Sequence, residues 1–318
     1  MKAAIRRNYG PPERIVIADL ERPIPKDNEV LIRVKATTVN RTDGANLRAV
    51  PFIMRFVLGF RKPKKIILGT DFAGEVIAIG KEVTSFHPGD RVFGFDDMGL
   101  QSQAEFLILP ESASLFRIPN AIGYQQAAAS LEGAHYAYTF VHKVNIQSGQ
   151  RILINGATGA IGSALLQFVR PYDVHITATC STKNIELVKS LGADKIYDYT
   201  QEDFTKDTQK YDFIFDAVGK STFGKCKPLL KRRGIYISSE LGPYSQNVGF
   251  ALLAPMLGKK VIFPIPYATQ KTIPYIIDHL KTKKFDPVMD REYSLEEISQ
   301  AYTYVLSGMK VGNVIIRF

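Results

Sequence analysis

Along its first third the chain alternates short β-branched runs with turn residues. Residues 30–34 (VLIRV), 75–79 (EVIAI), 91–95 (RVFGF) and 104–108 (AEFLI) each read as a strand, punctuated by Gly69, Gly74, Gly80 and the Pro88-Gly89-Asp90 turn. Short strands at this spacing predict a small antiparallel barrel. The texture changes near residue 122. Residues 124–143 are alanine-rich and helical in character, and strands then alternate with helices: strand 151–155, helix 160–168, strand 175–179, helix 184–190. Further strands are predicted at 195–197, 213–216, 234–238 and 260–263. Their cores are apolar on both faces, as buried parallel strands require, so the pattern predicts a doubly wound parallel sheet. After Pro264-Ile265-Pro266 come a helix at 273–281, a short strand at 291–293, a helix opened by a Ser294/Glu297 capping box, and a last strand at 313–317. One βα segment therefore stands between two flanks of β character, and the flanks are expected to fold together.

Composition narrows the class. The chain has 318 residues, 45% hydrophobic and 23% charged, which suits a globular protein of two domains at ~150 residues each. Disorder, collagen-like repetition and coiled coil do not fit. The two cysteines, Cys180 and Cys226, exclude a disulfide scaffold and a four-cysteine zinc site, and read as buried small hydrophobes. The apolar runs at 52–60 and 248–257 fall short of the ~18 residues that span a bilayer. The opening MKAAIRRNYGPPE lacks the apolar core of a signal peptide, so a reducing cytoplasm is the expected compartment. The net charge of +10 favours anionic partners. The basic residues lie in short clusters without a long arm or a nucleic-acid motif, so a phosphate-bearing small ligand is expected rather than nucleic acid.

The sharpest chemical signal is Gly156-Ala157-Thr158-Gly159-Ala160-Ile161-Gly162, placed between a predicted strand and a predicted helix. Glycines here permit a tight turn, close approach of backbone to a pyrophosphate, and close helix–strand packing. The amides opening the helix then face the phosphate charge. NAD recognition calls for an acid ~20 residues on, to hold the ribose 2′-hydroxyl. The stretch Thr179-Cys180-Ser181-Thr182-Lys183-Asn184 has none, whereas Ser181 and Lys183 can donate to a 2′-phosphate. NADP(H) is the expected cofactor. Ser181-Thr182 would also cap the next helix, and both roles use the same helix end.

These residues resemble the medium-chain dehydrogenase/reductase superfamily, in its zinc-independent quinone oxidoreductase-like branch. The resemblance rests on 69–76 (GTDFAGEV), 87–93 (HPGDRVF), the glycine loop, 191–194 (LGAD), 216–219 (DAVG) and the terminal 312–318, in order along the whole chain. It implies a Rossmann-type sheet (residues 121–265) inserted into a GroES-like β-barrel catalytic domain (1–120 plus 266–318). It further implies that the loop through Val218 borders the cofactor, that backbone near Ser238 to Gly242 lies by the nicotinamide, and that Tyr199 lies near the 2′-phosphate. Where the family usually carries a lysine near its C-terminus, this chain has Asn313. Zinc relatives take a cysteine and a histidine from the barrel, and the corresponding stretches here, 40–43 (NRTD) and 69–71 (GTD), hold neither.

Without zinc to polarise an alcohol, the expected chemistry is hydride delivery from NADPH to a small hydrophobic quinone or α,β-unsaturated carbonyl. Negative charge then develops on oxygen and needs donors. Asn40 is a candidate carbonyl donor, and Asp43 reads as a loop-holding residue. In 132–137 (EGAHYA), His135 or Tyr136 stands where the family places a threonine against the nicotinamide carboxamide; either could bond it or give a proton. No proton donor is otherwise assigned. The apolar side chains of 47–65 suit a hydrophobic acceptor, or a lid packed on the barrel. Alternatives are an enoyl-thioester reductase, with Lys62, Lys64 and Lys65 as a landing patch, and a non-catalytic NADPH-binding protein. A homodimer is expected from the apolar sheet edge at 260–263.

Overall fold

Buried positions run along nearly the whole of Glu29–Val39, and this strand organises the first of two sheets. It pairs antiparallel with Asp71–Ile79, Phe106–Pro110 and Asn313–Arg317. The seven-stranded sheet runs in the order Met289–Ser294, Asn313–Arg317, Glu29–Val39, Asp71–Ile79, Arg91–Phe95, Leu115–Arg117, with Phe106–Pro110 on the side of Glu29–Val39. The computed structural model describes residues 1–239, 247, 249–250 and 260–318, so most of the apolar run at 248–257 lies outside the described residues.

The chain divides into two units: 1–132 with 269–281 and 287–318, and 133–268 with 282–286. The first boundary falls at Glu132 rather than at 120. The alanine-rich stretch is also not one helix: Tyr124–Ala129 stops at Ser130, whose hydroxyl donates to Ala127 O at 2.7 Å, and Glu132–His142 starts afresh. The return of 282–286 to the second unit has a packing cause. Phe285 packs against Phe168 with the rings tilted at 59° and their centroids 5.1 Å apart, and Gln167 bonds the backbone of Asp286 at both its amide ends.

In the first unit, strands the alternation did not mark, Lys2–Ile5 and Val16–Asp19, form a separate antiparallel ribbon. The predicted 104–108 strand is shifted to Phe106–Pro110, with Ala104 making only an isolated bridge to Ala3. The Ser294/Glu297 capping box forms, Ser294 N donating to Glu297 Oε2 at 2.8 Å.

In the second unit all pairings are parallel, in the order Lys195–Asp198, His175–Cys180, Arg151–Asn155, Tyr211–Asp216, Leu230–Ser238, Lys260–Ile262. Numbered along the chain this is 3-2-1-4-5-6, the doubly wound order whose crevice lies at the carboxyl ends of the strands, where the order reverses. Phe140, Phe168, Phe215 and Phe223 are almost wholly buried, each contributing about 1.5–3 kcal/mol. Cys180 and Cys226 are buried thiols; burial raises them to about 11 and about 12. No helix among the described residues is long and apolar enough to cross a membrane.

Candidate functional site

The switch point of the second unit is the glycine loop. Arg151–Asn155 runs into Gly156, whose φ of +84° favours glycine, and a Cβ there would lie 2.7 Å from Val218 Cβ. The loop then enters the Ala160–Val169 helix at Gly159. A Cβ on Gly162 would meet Gly156 O at 2.1 Å, so this glycine lets helix and loop touch. Gly159 differs: its Cβ would meet Gly156 O at an ordinary 3.7 Å. Apart from the chain neighbours of Gly159, no other atom of the described residues comes within 4 Å of that Cβ, and the first-turn amides of 160–162 have no intrahelical acceptors. This cradle fits a pyrophosphate.

The crevice is held by a polar chain across four strand ends. Gly156 N donates to Thr179 Oγ1 (3.0 Å), Thr179 to Asn155 Oδ1 (2.7 Å), and Asn155 Nδ2 to Asp216 Oδ1 (2.9 Å). The same carboxylate accepts from Gly219 N at 3.0 Å, Val218 N at 3.3 Å and, at Oδ2, Tyr236 OH at 2.7 Å. Asp216 therefore fixes the Val218 loop against the glycine loop. Ser238 ends the neighbouring strand and is buried, while 240–242 lie outside the described residues.

The predicted 2′-phosphate residues gather at the end of the second strand. Ser181 stands at the N-cap position of the Thr182–Asn184 turn but makes no side-chain capping bond; its Oγ accepts from Asn184 Nδ2 at 3.0 Å. Lys183 is exposed, and Tyr199, 57% exposed, lies on the adjoining strand end through Tyr199 N to Cys180 O at 3.0 Å. An acid does reach this corner, from the third strand rather than the second. Asp198 accepts from Thr182 Oγ1 and from the Thr200 amide and hydroxyl, and the Thr182 bond leads in holding its carboxyl below the usual range.

In the first unit, Asn40 caps the Arg41–Arg48 helix in a capping box with Asp43. Its Oδ1 accepts from Asp43 N at 2.8 Å, and its Nδ2 donates to Thr70 Oγ1 at 2.8 Å and Asp71 Oδ2 at 3.2 Å. The amide of Asn40, 2% exposed, is thus committed at both ends to the protein. Burial raises the Asp71 carboxyl, and the bonds it accepts from Thr38, Thr37 and Asn40 pull it back down. Asp43 beside it is pushed well above the usual range, by burial first and then by the charge of Asp71. The two carboxyls divide the roles, Asp43 holding the proton. The barrel positions that correspond to the ligands of zinc relatives present the neutral amide of Asn40 and the hydroxyl of Thr70, neither of the cysteine or histidine type that those relatives use.

Glu132 is the functional candidate that sequence reading passed over. It is 6% exposed, and Thr42 Oγ1 donates to its Oε1 at 3.2 Å. Burial raises its carboxyl to about 7 against the downward pull of Lys310, with Asp97 and Asp71 pushing further up. Burial also lowers Lys310, whose Nζ donates to Gly312 O at 2.5 Å. Asn313, at the position of the family lysine, bonds Val288 O through its amide and side chain. His135, in the second unit, is 2% exposed and lowered to about 4 by burial, so it is neutral at neutral pH. Tyr136 is half-buried, its ring edge-on to His135 at 5.6 Å. Of the apolar residues at 52–57, Phe52, Ile53, Phe56 and Val57 are exposed rather than packed on the barrel.

Comparison with known proteins agrees with this architecture. Residues 26–145 match the alcohol dehydrogenase GroES-like domain family, and residues 191–316 match the zinc-binding dehydrogenase family. The chain is 28% identical over 308 residues to the chloroplastic quinone-oxidoreductase QR1 of Triphysaria versicolor, covering 92% of this chain and 91% of that protein. It is also 28% identical over 333 residues to the 2-methylene-furan-3-one reductase of Solanum lycopersicum, covering 99% and 79%. Among solved structures, the quinone oxidoreductase from Coxiella burnetii superposes with a TM-score of 0.87 at 22% identity, covering 100% of this chain and 99% of that one. The parallel 3-2-1-4-5-6 sheet, the flanking GroES-like unit and these matches together mean that the chain belongs to the medium-chain dehydrogenase/reductase superfamily of oxidoreductases, in its quinone-oxidoreductase-like branch.

Proposed function

We propose that this protein uses NADPH to deliver hydride, without a metal, to a quinone or an α,β-unsaturated carbonyl. The observation that carries the reading is the unfilled space over Gly159 at the helix N-terminus, with Ser181 and Lys183 at the adjoining strand end. Asp198, the carboxylate that bonds Thr182 there, is engaged by Thr182 and Thr200. Relatives named for quinone and furanone reduction support the acceptor class.

When bound, the cofactor supplies the hydride. The chain's own part is to hold pyrophosphate on the helix amides, to favour a 2′-phosphate with Ser181 and Lys183, and to provide a proton for the oxygen that gains charge. In this reading Glu132 is the proton source. It is a buried acid half-protonated near neutral pH, and the Thr42 hydroxyl gives it an outlet. Asn40 holds the Asp43–Asp71 knot rather than the substrate. A homodimer through the edge strand Lys260–Ile262 is part of the proposal, and a monomer by light scattering would remove that part.

The test is NADPH consumption by the chelator-treated protein with a benzoquinone, an enone and an enoyl thioester. Turnover of the first two supports the proposal. Turnover of the thioester alone assigns an enoyl reductase, and turnover of none, with NADPH bound, assigns a non-catalytic binding protein.

A further inference from the structure

Residues 44–70 carry six basic side chains, at 48, 55, 61, 62, 64 and 65, and no aspartate or glutamate. In the middle of this stretch Phe52, Ile53, Phe56, Val57 and Phe60 are each more than half exposed. The three phenylalanines form one patch: Phe52 meets Phe56 and Phe60 edge-on at centroid distances of 6.3 and 6.2 Å, and Phe56 meets Phe60 at 5.6 Å. A contiguous apolar patch with a polar rim is a contact surface. It is also pinned from beneath. Leu58 and Met54 pack with Tyr9 and Ala49, Tyr9 OH donates to Gly59 O at 2.7 Å, and the Arg55 guanidinium lies 5.1 Å from the Tyr9 ring and 5.3 Å from that of Phe52. Gly59, at φ +124°, then turns the chain back, and Lys64 N donates to Leu58 O at 2.8 Å. That turn sets the exposed Arg61, Lys62 and Lys64 beside the rings.

We infer that this face docks on an anionic lipid bilayer, the phenylalanines entering the boundary between headgroups and acyl chains while Arg61, Lys62 and Lys64 meet the lipid phosphates. Charge selects this occupant. A second copy of the same face would bring two basic runs together, and like charges oppose that contact. A small apolar acceptor has no use for a cationic rim. An anionic bilayer uses both halves, because buried apolar area and attraction to lipid charge add at a membrane interface. The net charge of +10 on the whole chain acts in the same direction. No helix among the described residues is long and apolar enough to cross the bilayer, so the contact is with its surface. The inference needs no cofactor and no turnover, and its failure would leave the reductase reading untouched.

The experiment is co-sedimentation of the full chain with vesicles of phosphatidylcholine, alone or mixed with phosphatidylglycerol. Binding to the mixed vesicles should be at least about tenfold tighter than to phosphatidylcholine alone, and should weaken at least about tenfold between ~0.1 M and ~1 M salt. Lys62→Ser with Lys64→Ser should remove most of the preference for phosphatidylglycerol, and Phe52→Ser with Phe56→Ser should weaken binding at least about tenfold. All four positions are exposed, so both variants should keep the wild-type melting curve. The chain has no tryptophan, so Phe56→Trp places a lone fluorophore in the patch. Its emission should move to the blue on mixed vesicles, while that of Ile24→Trp, at an exposed position outside this segment, should not. No binding to mixed vesicles, equal binding to both kinds, full binding by either folded double variant, or equal shifts at 56 and 24 each overturns the inference. Dimers that Phe52→Ser with Phe56→Ser dissociates, in a chain that ignores vesicles, would give the face to a second copy instead.

Discussion

At the scale of single residues the account turns on Glu132. A carboxyl raised to about 7 in the folded chain and 4.5 when unfolded makes the folded state bind the extra proton between those values. Stability is therefore highest below pH 4.5 as far as this group is concerned, and its share is lost as pH rises through about 7. The loss is of order 3 kcal/mol. Urea unfolding of Glu132→Gln should fall less than wild type between pH 5 and 8, and equal slopes would mean that Glu132 titrates normally. As the proton source, Glu132 also predicts a rate that declines above pH 7; Glu132→Gln should flatten that limb and lower kcat about 100-fold. Sequence reading singled out 132–137 but settled on His135 and Tyr136. The partners that make Glu132 unusual are remote in the chain, Thr42 lying 90 positions away, so only folding brings them together. Asn40 was legible as a polar residue at a family position, yet what takes up its amide nitrogen is Thr70 and Asp71, 30 and 31 positions away.

At the scale of elements, the glycine loop was legible because strand, turn and helix follow one another without interruption. The loop's three glycines are not equivalent, and that could be read only from geometry. Gly159→Val should fold normally and lose nucleotide binding, because its Cβ clears the protein and enters the unfilled space. Gly162→Val should lose at least about 3 kcal/mol of stability, its Cβ being 2.1 Å from Gly156 O. Thermal melts with nucleotide titrations separate the two cases. Lys183→Glu should weaken NADPH at least tenfold while leaving NADH within about twofold, and equal losses would refute its phosphate role. Elements that escaped the pattern have physical reasons. Lys2–Ile5 and Val16–Asp19 are four-residue strands, and the second is nowhere fully buried, so neither carries much alternation. The 124–143 stretch read as one helix because alanine favours helix throughout, while its break comes from Ser130 turning back on Ala127.

At the scale of the whole molecule, the two-part plan was visible as a change of texture near residue 122, and the joining of the flanks followed from their shared β character. The details at the seams were not, since 282–286 leave the first unit through contacts of Phe285 and Asp286 that no local pattern encodes. A neutral amide and hydroxyl stand at the zinc-ligand positions, so prolonged chelator treatment should leave turnover unchanged, and a loss reversed by added zinc would contradict a metal-free mechanism. The claim on which the rest depends is the identity of the cofactor. The most direct measurement is a fluorescence titration of the purified chain with NADPH and, separately, NADH. Saturable NADPH binding with NADH at least tenfold weaker is the predicted result; NADH binding as tight as NADPH, or no binding of either, would contradict it.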